Sequence, residues 1–170
     1  MNDHSVEKIS FSRKQLTQSA LIAALYIALT LVFKPISFGV VQVRIAEALC
    51  ILPYFTFAAV PGLFVGCLLA NFLGGAAIWD VIFGSLATLL AAVLSYRFKK
   101  LKYAVCIFPI LINTLVIPWV LRFVYQETLT ILVLAGSIFI GELIAVGVLG
   151  SILLFALDKQ KLGLQEFFEG

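Results

Sequence analysis

Charged positions interrupt this chain at wide intervals, and the apolar runs between them set its elements. Nothing is charged between Lys14 and Lys34, or from Tyr103 to Leu121, and from Thr128 to Leu157 Glu142 is the single charge. Each run reaches the ~20 residues that a helix rising 1.5 Å per residue needs to cross a ~30 Å hydrocarbon core. The stretch from Ala48 to Trp79 is also uncharged, but as one helix it would run roughly 48 Å, too long for one crossing. It therefore breaks, and Pro61-Gly62 is the natural place, because proline cannot continue a helix and glycine tolerates the turn. The pattern predicts an all-α fold of six helices near 16–33, 40–58, 61–76, 80–97, 103–121 and 129–157. Gly74-Gly75 loosens the end of the third before Asp80 opens the next.

Composition agrees: of 170 residues, 62% are hydrophobic and 12% charged, with a mean hydropathy of +1.11. Soluble domains carry about twice that share of charge, so a water-soluble globule is excluded and a polytopic membrane protein is expected. One integral membrane domain fits the length: a segment 1–15, the six-helix bundle 16–157 and a tail 158–170. No internal repeat or cleavable signal peptide is evident.

The Lys and Arg residues give the bundle a direction. With six spans, Lys8, Arg13, Lys14, Arg97, Lys99, Lys100, Lys102, Lys159 and Lys161 fall on one side, and Lys34 and Arg122 on the other. Lys/Arg-rich loops stay in the cytoplasm, so a multi-pass protein of the cell membrane with both termini cytoplasmic is expected. Tyr96 and Tyr103 then flank the basic inner loop, while Trp79, Trp119 and Tyr125 mark the outer belt.

Arg44, Glu47 and Glu142 are charges at membrane depth, each costing about 2.5 kcal/mol or more on insertion scales, so each needs a reason. Asn71 and Asn113 are buried amides that also need partners. Depths of ~6 Å for Arg44, ~10 Å for Glu47, ~8 Å for Asn71, ~12 Å for Asn113 and ~20 Å for Glu142 put these residues in the outer half of the bundle. Asp80, Arg122 and Trp119 cap that side. An outward polar cavity over an apolar floor is the expected arrangement.

Each residue has a structural alternative. Arg44 and Glu47, i and i+3 on one helix, either neutralise each other or face a ligand. Asn71 and Asn113 either bond helix to helix or contact a ligand. Glu142 has no charged neighbour in sequence and is the best candidate for a ligand-facing carboxylate. Trp79 and Trp119 are belt residues or, at the cavity mouth, a cover for a flat heterocycle. With Glu47, Asp80 and Glu142 opposing Arg44, the cavity favours a neutral or cationic solute. A carboxylate there can accept two parallel N–H bonds, as from a guanine-like edge.

Two small-residue ladders run along helix faces, Ala20, Ala24 and Ala28 on the first and Gly62, Gly66, Ala70 and Gly74 on the third. Such faces let helices approach closely, inside the bundle or, for the alanines, against another protein. Cys50, Cys67 and Cys106 show no metal or redox spacing and read as buried thiols. There is no GxxxxGK[ST], HExxH or GxSxG, and the one histidine is His4 in the N-terminal segment. An enzyme is not expected, nor a cofactor, a metal or a nucleic-acid partner; binding and transport are.

The strings Val41 to Pro53 (VQVRIAEALCILP), Val60 to Gly75 (VPGLFVGCLLANFLGG) and Trp79 to Ala92 (WDVIFGSLATLLAA) resemble the signature regions of the QueT family of queuosine-precursor transporters. These are substrate-binding S-components of energy-coupling factor (ECF) transporters. The resemblance extends from about Ala20 to Leu157 and implies a six-helix S-component fold with cytoplasmic termini. It implies a deazaguanine cargo, a 7-deazaguanine bearing an aminomethyl group or larger amine, bound on the extracellular side and carried inward by toppling. It also implies partners: a transmembrane T-component, met through the Ala20, Ala24, Ala28 face, and two ABC ATPases. By motif match Arg44, Glu47, Asn71 and Asp80 are its site residues; Asn113, Trp119 and Glu142 are added from depth. The remaining alternatives are an S-component for another vitamin or nucleobase, and a structural membrane protein without a ligand. A self-sufficient carrier is disfavoured, since the chain lacks the repeat that alternating halves use.

Overall fold

A computed structural model describes residues 12–38 and 42–159, so His4, Lys8, Val40 and Lys161 lie outside the described residues. The described residues are all-helical, with no strand. Helix α1 (Arg13–Val32) begins at a reciprocal cap in which Ser12 Oγ accepts from the Gln15 N–H and Gln15 Oε1 accepts from the Ser12 N–H. Two orphan donors of the first turn are thereby satisfied. After Phe33, Pro35 starts the short α2 (Lys34–Ser37).

The second expected helix, 40–58, takes a different form. Residues 42–44 have no regular structure, Ile45–Tyr54 form a 3₁₀ helix, and a turn follows. At ~2.0 Å per residue the 3₁₀ segment is only ~20 Å long. Residues 46–53 are buried on every side, and a 3₁₀ rod is narrower than an α-helix. This rod is the axis of the bundle; α1, α3, α4, α5, the end of the last helix and its middle all touch it.

Helix α3 (Ala59–Gly74) starts two residues before Pro61, which sits harmlessly in the first turn. It ends where Gly75 adopts φ 81° and the Ala76 N–H returns to the Asn71 carbonyl at 3.0 Å, a left-handed cap that favours glycine. Helices α4 (Ile78–Arg97) and α5 (Ala104–Phe123) follow, the latter continuing through Pro109 and Pro118. The last long helix is continuous from 131 to 159 but changes winding: α6 (Ile131–Glu142), a π segment (Leu143–Gly150), then α7 (Ser151–Lys159).

The two small-residue ladders have different fates. The glycines of α3 face α1: a Cβ on Gly62 would stand 2.8 Å from the Ser19 carbonyl oxygen, and one on Gly66 2.8 Å from Tyr26 Cβ. Ala20, Ala24 and Ala28 point outward and are exposed. The core joins Tyr26, Ile51, Leu63, Cys67, Val105, Val146 and Leu154, and the three cysteines are free and buried.

Helices α1, α4 and α5 and the helix Ile131–Lys159 are long and apolar enough to cross a membrane; Ile45–Tyr54 and Ala59–Gly74 are apolar but shorter. Large side chains such as Leu16, Phe72, Leu115, Phe123 and Leu132 stand on the outside. Apolar exposure on this scale would be a liability in water and is the normal condition against lipid. The chain is a membrane protein.

Candidate functional site

Arg44 is the residue before the 3₁₀ segment, and three residues later comes Glu47. The 3₁₀ winding brings i and i+3 into line, yet among the described residues the two side chains form no ion pair. The Arg44 Nε–H donates to the Ser37 carbonyl at 3.4 Å, and its guanidinium lies over the Phe38 ring, 5.2 Å from the centroid. Glu47 is held from elsewhere: the Tyr26 hydroxyl donates to Oε1 and the Cys50 thiol to Oε2 at 2.9 Å.

Glu142 closes α6. Its Oε1 accepts from Asn113 Nδ2 of α5 at 2.8 Å, while its Oε2 has no hydrogen-bond partner. Asn71 lies in the last turn of α3 and Asp80 in the first turn of α4, so the Gly74-Gly75 turn folds them toward each other. Both flank Gly84: a Cβ there would lie 3.1 Å from Asn71 Nδ2 and 3.5 Å from Asp80 Oδ1. Asp80 Oδ2 accepts from the Tyr125 hydroxyl at 2.9 Å, and that hydroxyl accepts from the Ala77 N–H at 3.1 Å. Asn71 Nδ2 and the Thr88 hydroxyl both donate to Cys67 Sγ, at 3.5 and 3.4 Å.

Gln42, Arg44, Gly84, Asn113, Ile117, Ile138 and Glu142 line a cavity whose inner void is about 10 Å³, the room of roughly one water molecule. The polar groups are thus gathered around a narrow space between α4, α5, α6 and the strand-like 42–44 stretch. That stretch crosses α6 at Gly141, where a Cβ would stand 1.8 Å from the Gln42 carbonyl oxygen. Four buried polar atoms around this space make no hydrogen bond: Arg44 Nη2, Asn71 Oδ1, Asp80 Oδ1 and Glu142 Oε2. Buried polar atoms are normally bonded, because leaving one unmade costs about 1–3 kcal/mol.

The structure brings together Arg44, Glu47, Asn71, Asp80, Asn113 and Glu142, and leaves Trp119 apart. Trp119 stacks on Phe123 at 6.0 Å between centroids and lines an outer apolar groove with Phe83 and Val120. Sequence reading misses Tyr26, Cys50 and Gly84, which carry no charge or spacing signal in their apolar surroundings, and passes over the amide of Gln42 beside Arg44. Tyr125, expected as a belt aromatic, is the hydroxyl that ties the α5–α6 loop to Asp80.

A family model described as QueT transporter matches residues 16–159. The chain belongs to the QueT transporter family. The match contains every residue of the cluster. A curated relative, "Queuosine precursor transporter QueT" of Lactococcus lactis subsp. cremoris (strain MG1363), is 37% identical over 87 residues, 48% of this chain and 51% of the relative. The chain thus spans about half the length of that curated relative. No solved structure matches the chain.

Proposed function

We propose that this chain is the substrate-binding S-component of an ECF-type ABC importer for a queuosine precursor or salvage base, a 7-deazaguanine derivative. The observation that carries the reading is that Arg44 and Glu142, from different elements, each bring a buried, unbonded polar atom to the lining of one small cavity, with those of Asn71 and Asp80 close by across Gly84. Tyr26, Glu47 and Cys50 satisfy one another, whereas these four atoms, clustered around one space, are available to a solute. Three are acceptors and one is a cationic donor. A guanine-like edge, with adjacent ring and exocyclic N–H groups beside a carbonyl, complements such a set. Glu142, steadied by Asn113, takes the N–H edge, and Arg44 or an amide donates to the carbonyl.

Four long and two shorter apolar helices support a bundle of six elements, and the Lys and Arg excess on one side supports both termini being cytoplasmic. Substrate enters from the outside, and toppling of the bundle carries it inward. The chain has no P-loop, so two ABC ATPases supply the energy through a T-component. The exposed Ala20, Ala24, Ala28 face, left unpacked by the bundle, is where that T-component docks. Native purification followed by mass spectrometry of bound small molecules and associated subunits tests the whole reading. A deazaguanine ligand with copurifying ATPases is the expected result; a protein that binds no small molecule and copurifies with no ATPase overturns it.

A further inference from the structure

Leu134, Ile138, Glu142, Val146, Gly150 and Leu154 are all buried, and each stands four positions after the one before. The outside keeps the same rhythm, with Leu132, Gly136, Ile140, Ile144, Val148 and Ile152 all exposed. An α-helix turns once in 3.6 residues, so a stripe spaced by four drifts about 40° at each step. Over the five steps from Leu134 to Leu154 the drift would reach roughly 200°, and the two ends of the stripe would face opposite ways. The last helix avoids this by widening over Leu143–Gly150. A π turn closes on the fifth residue instead of the fourth, and so turns back what the α turns on either side gain.

Both halves of this helix are keyed to other elements. In the first half Leu134 and Ile138 pack on Ile117 and Leu121 of α5, and Gly141 lies against the Gln42 carbonyl. In the second, a Cβ on Gly150 would stand 3.1 Å from Ile51 Cγ2 and 3.6 Å from the Ala48 carbonyl oxygen, both on the central rod, and Leu154 joins the rod's core. Glu142 is the last residue before the widening. Counted in α turns back from Gly150, its side chain would point about 80° off the stripe. In the widened helix it reaches the cavity and accepts from Asn113 Nδ2 at 2.8 Å. Leu143, Ile144 and Val148 of the segment are exposed and line no part of that cavity, so the segment acts on it through winding.

We infer that Leu143–Gly150 is the positioning segment of the site, setting by its winding the register that turns Glu142 into the cavity. Its weight for transport rests on the reading of Glu142 as a solute-facing carboxylate. The paired variant Asn113→Cys with Glu142→Cys, oxidised as the full chain in lipid nanodiscs, reads the register without any solute, because these two side chains touch. Peptide mapping by mass spectrometry scores the link between positions 113 and 142. Deletion of Val148 keeps the link, since seven α-wound steps bring position 142 within about 20° of Gly150. One alanine inserted after Val148 turns α6 by about 100° and the link is lost. Deleting Ile144 from that insertion variant restores it, a rescue that a local packing defect would not show. An alanine inserted after Leu132, ahead of Glu142, leaves the link in place. A link that survives the insertion after Val148, or one that disappears on deletion of Val148 from a folded protein, overturns the inference; the deletion decides alone where the insertion does not fold. With position 142 left as Glu, calorimetry with 7-aminomethyl-7-deazaguanine follows the same order, binding being kept in the deletion and lost in the insertion. Links that obey the order in a protein whose wild type binds no deazaguanine overturn the cargo reading and uphold the register.

Discussion

The phenol of Tyr26 on α1 donates its hydrogen bond to Oε1 of Glu47 on the central 3₁₀ rod, and both side chains are sealed from solvent. With the Cys50 thiol on Oε2, each oxygen of this carboxylate has a protein partner. Tyr26→Phe keeps the ring's packing and leaves Oε1 orphaned. The expected cost is about 1–3 kcal/mol of stability, the ordinary consequence of an unmade buried bond. Thermal unfolding in detergent checks it, and a variant as stable as wild type would mean that Glu47 finds another donor.

Glu142 differs from Glu47 in having one oxygen unspoken for. Glu142→Gln replaces an acceptor with a donor at the point where the N–H edge of the solute is expected. Affinity should fall by about 10- to 100-fold, the range for a hydrogen bond to a charged group. Calorimetry on the folded variant reads this directly, and unchanged affinity would remove Glu142 from the site.

At Gly141 the backbone of residue 42 passes too close for any side chain, with 1.8 Å from a notional Cβ to the Gln42 oxygen. Gly141→Ala must push the 42–44 stretch away and carry Arg44 with it. A loss of stability at or above the ~1–3 kcal/mol typical of overpacking is expected, together with weakened ligand binding. Unfolding curves and titrations on the same preparation check both. The neighbouring Gly136 has open space around its notional Cβ, so Gly136→Ala serves as the silent control.

The two small-residue ladders predict opposite phenotypes. Gly66→Ala drives a methyl to 2.8 Å from Tyr26 Cβ and should loosen α1 from α3, lowering stability by about 1–3 kcal/mol. Ala24→Leu and Ala28→Leu change an exposed face and should leave stability and ligand affinity unchanged while blocking uptake and copurification of the partner subunits. Loss of ligand binding in the alanine variants, with subunit assembly intact, would sink the docking assignment.

Outside the spans, Lys102 donates to Asp158 Oδ2 at 2.6 Å and lies over the Phe155 ring. The bond to Asp158 holds the Lys102 ammonium above its ordinary value of 10.5. A raised lysine contributes its stability below that ordinary value and loses it as pH climbs through the raised one. Wild type and Lys102→Met should therefore differ in thermal stability near neutral pH and converge in strong alkali. Parallel melts across that range show it, and a constant difference would mean the stem's packing on Phe155 carries the effect.

The charge-free runs made α1, α4, α5 and the last helix legible, because twenty apolar residues admit few other structures in lipid. Hydropathy could not reveal the 3₁₀ rod: residues 46–53 are buried all round, so no polar face betrays their winding. Asn71, Asp80, Asn113 and Glu142 stood out because each is expensive in an apolar run and so needs a partner. Tyr26 and Cys50 stayed hidden inside such runs, since their role depends on Glu47, a partner set by tertiary packing. The alanine and glycine ladders share one spacing, and their opposite orientations follow from how α1 and α3 meet. Trp119 was placed by its depth, but depth says nothing about which side of a helix faces the cavity.

The crossing of residues 42–44 over Gly141 also sets an order of events during synthesis. Arg44 emerges early, but its cavity is also lined by Asn113 and Glu142, which come 69 and 98 positions later in the chain. Such long loops close late, after local helices have formed. A ribosome that has inserted α1 through α5 has yet to make the last helix, whose middle packs on the central rod and whose first half closes the cavity. Until translation passes residue 142, the space that Arg44 lines lacks both Ile138 and the Glu142 carboxylate from its wall.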